Sequence, residues 1–199
     1  MSKLVLASGN PGKLRELSAL LDDLGYELLP QSDFNVAEAE ETGTTFVENA
    51  IIKARNAAEH TGLPALADDS GIEVDALDGA PGVYSARFAG PGASDTDNNA
   101  LLVQKLGEIP AERRSARYRA VIVLLRHAAD PSPIICEGSW EGQIRLEPAG
   151  SGGFGYDPYF YLPELGCTSA ELNPEEKNRL SHRGKALREL KAKLESGRV

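Results

Sequence analysis

Lys3-Leu4-Val5-Leu6-Ala7-Ser8-Gly9-Asn10-Pro11-Gly12-Lys13, running on through Leu14 to Gly25, carries the reading of the fold. Lys3 to Ala7 reads as a short buried strand, and Ser8 to Gly12 as a turn rich in small residues. From Lys13 the apolar positions Leu14, Leu17, Leu20, Leu21 and Leu24 fall at spacings of three and four, which predicts a helix. Gly25 fits the residue that ends it. Strand, glycine-rich turn, helix is the opening of an α/β fold.

The pattern continues outward. Thr45-Phe46-Val47-Glu48 has capping-box spacing and predicts a helix to about His60, with an apolar stripe of Phe46, Ala50, Ile51, Ala54 and Ala58. Pro64 to Ala67 leads into a strand that ends at Asp68, Asp69 and Ser70. Gly71 breaks it before Ile72-Glu73-Val74 resumes. Ser94 to Asp97 starts another helix, with Leu101, Leu102 and Leu106 on one face. Residues 116–125 and 134–140 are rich in strand formers and pair through Asp130-Pro131, and a further strand is expected at 143–146. Asn173-Pro174-Glu175-Glu176 opens the final helix, seamed by Leu187, Leu190 and Leu194. Helices and strands alternate early and strands cluster in the middle, so the fold class is α/β with a mixed sheet.

Composition narrows the function. The 199 residues are 41% hydrophobic and 26% charged, values of a globular chain with a sizeable core. No apolar run approaches the roughly 20 residues that span a bilayer, and no signal-peptide pattern opens the chain. The only cysteines, Cys136 and Cys167, form no CxxC motif, which suits a reducing, cytoplasmic setting. A net charge of −9 opposes sequence-independent nucleic-acid binding. A small anionic ligand would need a local cluster of cations or a metal.

Several segments have the composition of a site, and each has a plainer alternative. Ser8, Gly9, Asn10, Pro11, Gly12 and Lys13 could cradle a phosphate at a helix N-terminus, although the GxxxxGK[ST] spacing is absent. The same glycines also suit an ordinary β–α connection. Asp68-Asp69-Ser70 offers hard oxygen ligands for Mg²⁺, or is merely an acidic turn. Neighbouring strand residues point to opposite faces, so the two acids should have separate jobs. Glu38 to Gly43 could add a carboxylate, or be a solvated acidic loop. Four glycines within residues 150–155, interleaved with Phe154 and followed by Tyr156 and Asp157, favour a ligand-binding loop over a flexible hairpin. Lys177, His182, Arg183 and Lys185 supply positive charge, or a solvated basic face.

Taken together, LASGNPGK, ETGTTFVENA, ADDSGIEVDALDGAPGVYSARF, GGFGYDP and LSHRGKAL resemble the inosine triphosphate pyrophosphatase family, its bacterial branch most closely. They occur in the family's order from residue 4 to about residue 188. The resemblance implies one domain over residues 1–199, with an elongated mixed sheet flanked by helices, two lobes, a central cleft and a homodimer. It implies Mg²⁺-dependent hydrolysis of dITP, ITP and XTP to the monophosphate and pyrophosphate, which cleanses the nucleotide pool. By the same resemblance, Ser8 to Lys13 hold the triphosphate, and Glu40 and Asp69 bind the metal. Asp69 is also the proton acceptor. Ser70, Phe154, Gly155, Tyr156, Asp157, Lys177, His182 and Arg183 contact the substrate. Ser8 stands where the family often has threonine, and keeps the hydroxyl. A related pyrophosphatase for modified pyrimidines and a non-catalytic nucleotide-binding module are the competing readings. The SHRGKAL segment opposes the first, and an intact Asp69 and Glu40 oppose the second.

Overall fold

The structure, a computed structural model, describes residues 2–21 and 25–196. Seven strands form one mixed sheet in the order β2-β1-β3-β4-β5-β6-β7. They are β1 (Ser2–Leu6), β2 (Tyr26–Pro30), β3 (Ala65–Val74), β4 (Ser115–Leu125), β5 (Ile134–Ile144), β6 (Phe160–Leu162) and β7 (Cys167–Thr168). β1 runs parallel to β2 and β3, while β6 is antiparallel to β5 and β7. The helices are α1 (Pro11–Leu21), α2 (Phe46–Thr61), α3 (Asp95–Leu106), α4 (Pro174–Leu180) and α5 (His182–Glu195). The expected α/β class with a mixed sheet is borne out.

The chain divides into two compact units: Met1–Asp69 with Ala120–Gly138 and Lys185–Val199, and Ser70–Arg119 with Ser139–Gly184. In the first, strand alternation sorts side chains to two faces. Leu4, Leu6, Leu66, Ala120, Ile122 and Leu124 pack with Leu17 of α1 and Leu187 and Leu190 of α5. Val5, Ala7, Ala65, Ala67, Val121, Val123 and Leu125 pack with Ala50, Ala54, Ala57 and Ala58 of α2. Small side chains on α2 let that helix approach the sheet closely. Burying a residue such as Leu66 contributes about 1.5–3 kcal/mol. The second unit has its own core, with Ile72, Val74, Leu102, Leu106, Tyr118, Trp140, Tyr156 and Phe160.

The capping signals are confirmed. Thr45 Oγ1 accepts from the Glu48 N–H, and the Glu48 carboxylate accepts from the Thr45 N–H. Ser94 and Asp97 repeat the arrangement at α3, and the Asn173 side chain caps α4.

Several boundaries differ from expectation. α1 starts at Pro11 and not at Lys13, because Asn10 caps it through the Gly12 and Lys13 N–H groups. Leu24 lies outside the described residues, and Gly25 has a left-handed φ of 72°. β2 carries no alternating pattern and ends on proline, which an edge strand tolerates. β3 does not break at Gly71; there the Ile72 N–H turns to the Ser85 hydroxyl at 2.9 Å. Residues 143–144 belong to β5 and not to a separate strand. Gly142 allows this, since a Cβ there would sit 2.6 Å from the Phe160 ring. Leu101 lies outside the core that takes Leu102 and Leu106. The C-terminal segment is two helices, divided at an extended Ser181 whose hydroxyl accepts from the Gly184 N–H.

Candidate active site

In the first unit, the strand geometry gives Asp68 and Asp69 opposite faces, and each meets a lysine from the helix on its side. Lys13 of α1 lies 2.5 Å from Asp68 Oδ1, with the Asp68 side chain fully buried. Lys53 of α2 lies 2.6 Å from Asp69 Oδ1 and 2.9 Å from Glu41 Oε1. Both ammonium groups also donate to the Asp68 carbonyl, at 3.3 Å and 3.0 Å. Two cations thus converge on one strand position among three carboxylates.

Asp69 is tuned within this cluster. Burial pushes its carboxyl above the usual range, outweighing the opposing pull of Lys53. Lys53 stays protonated: burial pulls its pKa down, but the Asp69 and Glu41 charges lift it above the usual lysine value. Asp69 Oδ2 is buried and accepts no hydrogen bond from the described residues. A hard carboxylate oxygen without a hydrogen bond, its partner oxygen already held, fits a divalent cation such as Mg²⁺. That ion usually takes only one or two carboxylates and completes its shell with water and phosphate. Among the described residues no three His, Cys, Asp or Glu side chains gather as a metal cage.

The acidic loop is fastened along α2. Asn56 Nδ2 donates to the Ala37 carbonyl at 2.9 Å, Lys53 grips Glu41, and Asn49 Oδ1 accepts from the Gly43 N–H at 2.8 Å. Glu41 is therefore the loop carboxylate tied to Asp69 through Lys53, while the Glu40 side chain is exposed. Gly9 meets the same loop, and a Cβ there would overlap the Glu38 carboxylate.

The turn before α1 is more closed than its composition suggests. Asn10 Oδ1 accepts from the Gly12 N–H at 2.8 Å and the Lys13 N–H at 3.3 Å, and the Asn10 N–H donates to Ser8 Oγ. Pro11 has no N–H to offer. An anion here would meet the Ser8, Asn10 and Lys13 side chains more than bare helix N–H groups.

The second unit centres on Asp157, which is buried. Its Oδ2 accepts from Lys177 Nζ at 2.6 Å and from the Phe154 N–H at 2.8 Å, and its Oδ1 from Ser169 at 2.8 Å. Tyr118 also hydrogen-bonds to Asp157, and burial followed by the Asp157 charge holds its phenol protonated. Phe154 is 37% exposed, with Lys177 Nζ 4.9 Å from its ring centroid and Arg183 Cζ 5.9 Å away. An exposed ring backed by cations could offer a flat ligand a stacking face. His182 lies flat on Tyr118, centroids 4.7 Å apart and planes 9° apart, with Trp140 at 6.5 Å. Buried Arg183 donates to Ser70 Oγ at 3.0 Å. Tyr156 points elsewhere, donating to the Ser85 carbonyl at 2.7 Å.

The predicted residues thus gather into two sets. Asp69, Lys13 and the Ser8 turn lie in the first unit; Ser70, Phe154, Asp157, Lys177, His182 and Arg183 lie in the second. Sequence reasoning missed Lys53, Tyr118 and Trp140, and from the Glu38 to Gly43 loop the resemblance took Glu40, not the Glu41 that Lys53 holds. Lys53 had a signal, because it falls three residues after Ala50 and four before Ala57, inside the buried stripe of α2.

The Ham1 family model matches residues 4–193. The chain belongs to the Ham1 family. Among similar Ham1-type proteins, the dITP/XTP pyrophosphatase of Vibrio cholerae is 60% identical over 199 residues, covering all of both chains. That of Thioalkalivibrio sulfidiphilus is 63% identical over 97% of this chain and 98% of its own. The structure of a HAM1 protein from Coxiella burnetii matches with a TM-score of 0.93 and 52% identity, over 98% of this chain and 100% of that one. The Staphylococcus aureus Ham1 protein matches at 0.88 and 40%, over 98% and 100%. The resemblance drawn from the five motifs is borne out, as is the fold.

Proposed function

We propose that this Ham1-family protein hydrolyses non-canonical purine nucleoside triphosphates, dITP, ITP and XTP, to the monophosphate and pyrophosphate. The observation that carries the chemistry is Asp69, one oxygen clamped by Lys53 and the other buried with no hydrogen bond from the described residues. The names of the full-length relatives support the substrate class.

Lys13, Ser8 and Asn10 hold the triphosphate, and Lys13 and Lys53 offset its charge. A carboxylate with a raised pKa is a better proton acceptor than an ordinary one. The Asp69 carboxylate takes a proton from water as that water attacks the α-phosphorus, and the bond to the β-phosphate breaks with pyrophosphate leaving. Asp69 and Glu40, with Glu41 beside it, would hold Mg²⁺, which when bound neutralises phosphate charge and acidifies water. Asp68, paired to Lys13, supports and does not react.

The base stacks on Phe154. Donors on His182 or Arg183 face the C6 carbonyl of hypoxanthine or xanthine, whereas adenine would set an amino group against them and leave both unpaired. The protein acts as one functional domain, as a homodimer in the cytoplasm. Two free cysteines suit that compartment, and no described helix is long and apolar enough to cross a membrane.

Pyrophosphate release across dITP, XTP, dATP and dGTP, with and without Mg²⁺, tests the proposal. Selective, Mg²⁺-dependent turnover of dITP and XTP is expected. Equal hydrolysis of all four refutes the base reading, and no release from any favours a binding module.

A further inference from the structure

We propose that Asp95 and Asn99, one turn apart on α3, are positioning residues that aim the Phe154 ring at the purine base; this rests on the stacking role given to Phe154 above. The direction of a side chain follows from the two peptide planes that flank its Cα. The plane before Phe154 is pinned through its own N–H, held by Asp157 Oδ2 at 2.8 Å. The plane after it is pinned through the Gly155 N–H, held by Asp95 Oδ2 at 2.7 Å. Asn99 Nδ2 then fixes the next plane, donating to the Gly155 carbonyl at 2.9 Å while bound to the Asp95 carbonyl at 2.8 Å. The clamp therefore connects the aromatic loop to the first turns of a helix that is itself capped by Ser94 and anchored in the core by Leu102 and Leu106.

This matters because the loop is rich in glycine. Gly152, Gly153 and Gly155 surround Phe154, and glycine loses more conformational freedom on ordering than any other residue. A half-exposed ring left free would be ordered only when the base arrives, at a cost in affinity. The neighbouring Asn98 works in the same way on another segment: it accepts from the Ala89 N–H at 2.8 Å and donates to the Ala86 carbonyl at 3.2 Å. Adjacent positions on α3 thus hold separate loops, with Asn99 and Asp95 on the aromatic one.

Losing one such hydrogen bond corresponds to about a three- to tenfold change in an equilibrium. Asp95→Ala and Asn99→Asp should each raise KM for dITP by that factor, with kcat within about twofold. Inhibition by inosine monophosphate should weaken in step, while inhibition by pyrophosphate, which lacks a base, stays unchanged. Asp95→Asn keeps an acceptor oxygen and should lie between Asp95→Ala and the unmodified protein. In a Phe154→Ala background, Asp95→Ala should add nothing further. The proposal is overturned if Phe154→Ala raises KM but the α3 variants do not, or if their effect persists undiminished without the ring. If Phe154→Ala leaves KM unchanged, the stacking role itself fails and the positioning role fails with it. Should Asn99→Asp fold poorly, exposed Asp95 alone decides the matter.

Discussion

Replacing Lys13 by methionine removes the ammonium that faces the buried Asp68 carboxylate. The two groups are 2.5 Å apart, with side-chain exposures of 14% and 0%. An exposed pair would be worth about 0–1 kcal/mol, but stripping one partner from a buried pair costs about 3–5 kcal/mol, because a desolvated charge is left behind. At a urea m-value of about 2–3 kcal/mol per molar, the unfolding midpoint of Lys13→Met should fall by about 1–2 M at neutral pH. Asp68→Asn should cost less, since the buried negative charge goes with it. The double variant should recover most of the Lys13→Met loss, giving a coupling of about 2 kcal/mol or more. Urea titrations of all four proteins at pH 7.5 measure this. A coupling under about 0.5 kcal/mol would refute the view that Asp68 is a structural partner of Lys13.

Two other consequences concern the first unit. Arg126, with the N–H groups of Arg126 and Ser132, holds the Asp130 carboxyl well below the usual range. A carboxyl with a depressed folded pKa adds stability that is present above its unfolded value of 3.8 and lost as pH falls through the folded one. Asp130→Asn should therefore be less stable at pH 7, and the gap to the unmodified protein should close on acidification below about pH 4 in paired denaturation curves. Burial pushes the Cys136 thiol up to about 11, so iodoacetamide at pH 8 should label the part-exposed Cys167 and spare Cys136 until the chain unfolds, as read by mass spectrometry.

Much of this was legible in the residues. The strand, turn and helix of the first 25 positions, the Thr45–Glu48 and Ser94–Asp97 boxes and the Asn173-Pro174 cap are local signals, and they hold because their physics is local. Opposite faces for Asp68 and Asp69 followed from strand periodicity alone. What escaped depends on contacts distant in sequence. β2, β6 and β7 are short strands that form only because a neighbour offers hydrogen bonds. Gly71 read as a break because its effect depends on Ser85, fourteen residues on. Lys53 escaped because its partner Asp69 lies on another element. The helix N-terminus at Asn10 seemed open to phosphate, since composition does not say that Asn10 caps it.

The central claim is that the Asp69 carboxylate accepts the proton of the attacking water. Single-turnover pyrophosphate release from dITP with Mg²⁺, comparing the unmodified protein with Asp69→Asn, tests it most directly. General-base catalysis of this kind is worth about 10²- to 10⁴-fold. A loss of at least that size, with the fold retained by circular dichroism, is expected; a rate near that of the unmodified protein would contradict the account.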